Sequence, residues 1–163
     1  WTLTPYAIAG LVMGPISGQI AARIGYRTTL QIGLVVTVVG LAVTAWIAAT
    51  PTPALLLTIS IGIGISYAGM CNIMLNGLGI VLSPEDNPGY LPGMNSGAFN
   101  LGAGLSFAIL FAASTFFTDR SGEATGYMAG IGVGAAILVL ALLVSFLIPD
   151  PATVNEPDKV AAE

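Results

Sequence analysis

The sequence has no histidine, one cysteine and very little charge. Without histidine there is no imidazole for acid/base work and none of the commonest metal ligand. Cys71 alone closes no internal disulfide and builds no thiolate metal cage. Four Lys and Arg stand against eight Asp and Glu, so 7% of the 163 residues are charged, where a soluble domain carries roughly 25%. Four cations spread over the chain form no basic patch, which excludes nucleic acid as a partner. No cofactor is expected. Hydrophobic residues make up 55% of the chain and its mean hydropathy is +0.90. That composition excludes a soluble or disordered protein and leaves an integral membrane protein with the lipid bilayer as its partner.

The few charges divide the chain. They sit at Arg23, Arg27, Glu85, Asp86, Asp119, Arg120, Glu123 and Asp150, with the rest in the last eight residues. Between them lie charge-free runs at 1–22, 28–84, 87–118 and 124–149. A spanning helix needs about 20 mostly apolar residues. Each run is long enough, and 28–84 holds two spans divided by Thr50-Pro51-Thr52-Pro53. The runs lack the alternating ten-residue pattern of a membrane β-barrel. The fold class is therefore all-α integral membrane. Five transmembrane helices are expected at about 3–22, 28–49, 54–82, 91–117 and 126–148, so that 1–148 is a transmembrane bundle. The remainder, 149–163, is Pro-rich and polar and is expected to be a disordered tail.

Lys and Arg near span ends set orientation. Arg23 and Arg27 lie between spans one and two, and Lys159 falls on the same side; the other side receives only Arg120. The first link and the tail are therefore expected in the cytoplasm, with the N-terminal end outside. The chain starts at Trp1, with no basic leader and no cleavage site. It reads as the C-terminal piece of a longer protein whose N-terminal half is missing here.

Small residues at four-residue spacing let membrane helices approach closely. Gly10, Gly14 and Gly18 form one stripe, Gly126, Gly130 and Gly134 another, and Gly93, Gly97 and Gly104 with Asn100 a third. Gly14-Pro15 is a potential kink inside the first span. Spans three and four carry most polar side chains: Ser66, Tyr67, Cys71, Asn72 and Asn76, then Asn95, Ser96 and Asn100. Amides facing lipid are costly, so these spans are expected inside, lining a cavity or bonding helices together. Spans two and five are expected outside, toward lipid. Asn72 and Asn76 share one helix face. Asn95 and Asn100 diverge by about 140°, and Asn95 sits near the cytoplasmic end. No Asp or Glu lies within a span, so a coupling carboxylate would lie outside this segment. With no intramembrane carboxylate pair and no Ser-Lys dyad, the chain is not read as an enzyme.

The link from Gly18 to Arg27 resembles the loop signature G-x-L-A-D-R-x-G-R-[RK] of the major facilitator superfamily. Gly18, Ala21, Arg23, Gly25 and Arg27 match, while Ala22 replaces the Asp and Tyr26 a basic residue. Losing the Asp resembles the weaker copy between helices eight and nine. The order Gly93, Gly97, Asn100 and Gly102 is similar to the penultimate helix of drug-exporter members. Gly10, Gly14, Pro15 and Gly18 are similar in packing to an antiporter signature that belongs to the other half.

The resemblance implies the last five helices of a transporter, forming most of the C-terminal six-helix bundle. It implies a multi-pass plasma (inner) membrane protein of the drug:proton antiporter branch. Such a protein is a secondary active exporter of small, partly apolar molecules, working by alternating access with protons as the coupling ion. Gly18, Arg23, Gly25 and Arg27 would belong to the cytoplasmic gate. Tyr67, Asn72, Asn76 and Asn100 are the substrate-cavity candidates. The alternative is a non-transporting membrane scaffold that packs through its Gly stripes.

Overall fold

The computed structural model describes residues 3–47 and 52–149. Over these the chain forms five helices, each long and apolar enough to cross a membrane. They are α1 (Leu3–Ile24), α2 (Tyr26–Ile47), α3 (Pro53–Leu82), α4 (Tyr90–Ser121) and α5 (Glu123–Ser145). α1 runs through Pro15 as one helix. Apart from Pro149, the tail expected at 149–163 lies outside the described residues.

Burial is partly inverted relative to a soluble protein. Ser17, Thr29, Thr37, Ser66 and Ser145 are buried, while Leu11, Phe107, Phe111 and Leu147 are exposed. Apolar side chains face outward because lipid costs them nothing, and hydroxyls turn inward because lipid offers them no partner.

Two of the links are single glycines. The expected 23–27 link contracts to Gly25 between α1 and α2, and Gly122 alone separates α4 from α5. Their φ angles are +89° and +90°, where residues with a Cβ are disfavoured, and Gly122, with ψ at 165°, lies in a region essentially restricted to glycine. Gly25 N–H closes α1 on Ala21 O at 2.8 Å, and Gly25 O accepts from Thr29 N and Oγ1 at 3.1 and 2.8 Å. One residue thus ends one helix and starts the next. α3 begins differently, with Pro53 in its first turn and Thr52 Oγ1 accepting from Leu55 N–H.

The middle of α3, Gly64–Cys71, is π-helical. Its last turn is closed by Asn72 N–H donating to Tyr67 O, five residues back. Helices α1 and α2 grip this stretch. Ser17 Oγ lies 2.6 Å from Gly69 O. Thr37 Oγ1 lies 2.9 Å from Ser66 Oγ, which donates to Gly62 O at 3.0 Å. The approach is close because glycines meet it. A Cβ on Gly10 would stand 2.7 Å from Ala68 Cβ, and one on Gly33 would stand 2.8 Å from Cys71 Sγ and 3.1 Å from Ser66 O. Gly64 abuts the Tyr6 backbone. Below the π stretch, Leu30, Leu34, Met74 and Leu78 form the core, onto which Leu138 and Leu142 of α5 pack.

The glycine stripe of α5 is also used: Gly126 and Gly130 pack against Thr118 and Ser114 of α4. That of α4 is not, since Gly93, Gly97 and Gly104 each face open space. This corrects the expected division into inner and outer spans. α2, expected toward lipid, buries Thr29, Leu30, Gly33, Leu34 and Thr37, because Gly33 lets α3 press against it. Its other face, with Val35, Val39 and Trp46, is exposed. α4, expected inside, has no buried residue.

Replacing Gly33 by Ala should therefore destabilise the bundle by about 1–3 kcal/mol, since backbone and a core sulfur would have to move. Gly132, with open space around it, should accept Ala without loss. Thermal unfolding of both variants in detergent checks this: equal melting temperatures would refute the tight α2–α3 contact.

Candidate functional site

In an α-helix, residues five apart diverge by about 140°. The Asn72–Tyr67 backbone bond instead places Asn72 one turn below Tyr67. Asn76 follows one α-turn further on, and its Nδ2 reaches Asn72 O at 3.0 Å and Asn72 Oδ1 at 3.5 Å. The π stretch thus brings the phenol and both amides toward one side of α3.

The amide row continues onto the next helix. Asn95 Nδ2 donates to Asn76 Oδ1 at 3.1 Å. Asn95, read from the sequence as interfacial, is the α4 partner that the candidate set lacked. Asn100 does not join them. It lies five residues from Asn95 on a regular helix, is exposed, and turns its Nδ2 back to Ser96 O at 3.0 Å.

Tyr67 lines a recess of about 360 Å³ among α3, α4 and α5, with Phe99, Ser106, Phe107 and Leu138 among its walls. That volume lies within the about 300–1,000 Å³ of small-molecule sites. Phe99 is one α-turn from Asn95 on the same face of α4, as Asn72 is one turn from Tyr67 on α3. The aromatic layer and the amide layer are therefore neighbours on both helices. A larger groove of about 590 Å³ between α1 and α3 is lined by residues such as Ile8, Val12, Leu57 and Ile61. It is almost wholly apolar and offers nothing to orient a polar solute.

At the other end, the four residues of the gate motif are placed differently. Arg27 Nη2 donates to Phe146 O at 2.7 Å, tying the start of α2 to the end of α5. A cation there also complements the C-terminal partial charge of α5. Arg23 is exposed on α1, beside Ile16, Gln19 and Ile20. Gly18 is exposed with open space around it, and Gly25 makes the turn. Glu85 and Asp86 lie in an exposed turn closed by Asn87 N–H to Pro84 O at 3.0 Å.

The family model described as Major Facilitator Superfamily matches residues 1–106. The chain belongs to the Major Facilitator Superfamily. It is 56% identical over 150 residues to the "Uridine/deoxyuridine transporter" of Lactococcus lactis subsp. cremoris (strain MG1363). That match takes in 91% of this chain and 31% of the relative, so the chain spans about a third of the relative's length. No solved structure matches it significantly.

Within this major facilitator link, the two departures from the signature have structural consequences. Tyr26, in place of a basic residue, lays its ring on Gly77 of α3, where a Cβ would come within 2.7 Å of Tyr26 Cε1. Ala22, in place of the Asp, is exposed and gives Arg23 no carboxylate neighbour on that side.

Arg27→Ala should loosen the last turn of α5 while leaving the core intact. The bond is exposed, so the loss is about 1 kcal/mol or less. Hydrogen exchange should rise at 145–148 and stay unchanged at 64–74. Unchanged exchange at 145–148 would show that Arg27 does not hold that end.

Proposed function

We propose that this chain is the C-terminal part of a secondary active transporter that moves uridine-type nucleosides across the plasma membrane by alternating access. The observation that carries the proposal is the 56% identity to a uridine/deoxyuridine transporter over 91% of the chain. For the substrate, that relative's named solutes are a closer guide than the likeness to drug exporters. The recess lined by Tyr67 and Phe99, with the row Asn72, Asn76 and Asn95 one helical turn from it, suits such solutes, which are neutral, planar at the base and rich in hydrogen-bonding groups. Asn100 has no part in the site we propose.

Proton coupling follows from the resemblance to drug:proton antiporters. The coupling carboxylate then belongs to the part of the parent protein outside this segment, since no Asp or Glu lies within the apolar runs. The end carrying Arg23 and Arg27 is proposed to face the cytoplasm, in keeping with the bias of cations toward that side. There, Arg27 braces the gate from within the bundle and Arg23 is presented to the partner half. A scaffold that only packs through glycine stripes would account for Gly10, Gly33 and Gly130, but not for an amide row beside an aromatic recess.

The test is uptake of labelled uridine by cells that express the full-length parent protein. Uptake should saturate, and the Asn72→Leu, Asn76→Leu double variant, which dissolves the amide row, should raise KM about tenfold, the scale of one neutral hydrogen bond to the solute lost with the row. Uptake no greater than in cells without the protein would sink the nucleoside reading. Unchanged KM in a correctly inserted double variant would remove these amides from the site.

A further inference from the structure

The amide row has a direction. The carbonyl of Asn72 can only accept, so the group of Asn76 that lies 3.0 Å from it is the NH2 end. That turns Asn76 Oδ1 toward α4, and Asn95 must then present its own NH2, as the 3.1 Å bond records. A backbone carbonyl in α3 thereby fixes the orientation of a side-chain amide in α4. Asn95 donates one Nδ2 hydrogen to Asn76. Its second hydrogen and its Oδ1 have no hydrogen-bond partner among the described residues. Asn95 thus offers one donor and one acceptor side by side, in a set order, one helical turn from Phe99 in the wall of the recess.

We propose that Asn95 is the specificity-determining residue of the transporter and reads the imide edge of a uracil-type base. Its Oδ1 accepts the base N3–H, and its free Nδ2 hydrogen is given to a flanking carbonyl oxygen. The ring lies against Tyr67 and Phe99. Asn76 and Asn72 are positioning residues that stop the Asn95 amide from turning over. This inference rests on the nucleoside reading above and deepens it. Uracil presents acceptor, donor, acceptor along that edge, so either carbonyl beside N3 fits the fixed amide. With the ring held in the same place against Tyr67 and Phe99, cytosine sets its N3 lone pair against Asn95 Oδ1 and its amino group against the Nδ2 hydrogen, and it could pair with the fixed amide only by sliding one atom along its edge. The site therefore favours uridine over cytidine without any charged group.

The experiment is competition against labelled uridine uptake by the full-length protein, using thymidine, cytidine and 3-methyluridine, whose N3 carries no hydrogen. Thymidine should compete like uridine. Cytidine and 3-methyluridine should compete at least tenfold more weakly, the scale of one hydrogen bond lost with its partner left unpaired. In Asn95→Ala, KM for uridine should rise about tenfold with kcat held, and the preference over 3-methyluridine should fall to about one. Asn95→Gln, which keeps the amide, should restore part of that preference. Asn76→Leu should lower the preference of uridine over cytidine by freeing the Asn95 amide to turn.

If the unaltered protein moves uridine but 3-methyluridine competes as well as uridine does, the base-edge reading is overturned and the nucleoside reading stands. If it moves no uridine at all, both fall. The analogue series on the unaltered protein can overturn the base-edge reading even where a variant fails to insert, and the Asn95→Ala and Asn95→Gln pair decides whether Asn95 is the reader.

Discussion

A hydrocarbon interior supplies no water, so any departure from regular helix must be accommodated by neighbouring protein groups. The π stretch Gly64–Cys71 is the departure here, and the arrangement of α1, α2 and α3 follows from how it is held. Ser17 approaches Gly69 O from one side and Thr37 approaches Ser66 Oγ from the other. Interhelical hydrogen bonds in membranes average about 0.6 kcal/mol each. Two such bonds are too weak to hold the irregular helix alone. Close packing supplies the rest: Gly10 and Gly33 admit the α3 backbone to distances that no side chain would allow. The hydroxyls then select the register, while the glycine faces provide the contact area.

What depends on this register is which residues share a side of α3. Each extra residue in a turn rotates everything beyond it by about 100° relative to a continuous α-helix. Without the π stretch, Tyr67 and Asn72 would diverge; with it, Asn72 lies one turn below Tyr67. The same element therefore packs the bundle and sets which polar side chains share a side of α3. It lies in the middle of a membrane-length helix, while Asn76 and Asn95 lie toward the Leu82 end of α3 and the Tyr90 end of α4.

Much of this was legible in the sequence. The sparse charges located five helices, and the Arg23–Arg27 motif identified the family that the later matches established. Gly10 and Gly14 of the α1 stripe and the stripe of α5 are legible as close contacts, while Gly18 meets open space. The π stretch was not legible, because every periodicity argument presumes 3.6 residues per turn and nothing in Gly64–Cys71 signals another. The Asn95–Asn76 bond is not legible for a related reason. Its value depends on register across two helices, and sequence reports register only within one. The role of α2 is hidden in the sequence because its buried polar residues are threonines, whose hydroxyls can reach carbonyls four residues back, Gly25 O for Thr29 and Gly33 O for Thr37. They pack inside at little cost and leave no mark on hydropathy.

The chemistry of the recess and the amide row also bears on how a transporter can divide its tasks. A charged group at the bilayer centre costs several kcal/mol even after local adjustment. A site made of amides and aromatic faces avoids that cost and can recognise only what is itself neutral and directional. Direction is the scarce quantity, because an isolated carboxamide can turn over and exchange its donor for its acceptor. The Asn72 carbonyl removes that freedom through Asn76. A backbone acceptor is the firmest available reference, since it cannot rotate without breaking the helix that carries it. On the proposed reading, recognition is set in this segment by dipoles of fixed sense. Charge movement is then left to another part of the protein, where a carboxylate can titrate without disturbing how the solute is read.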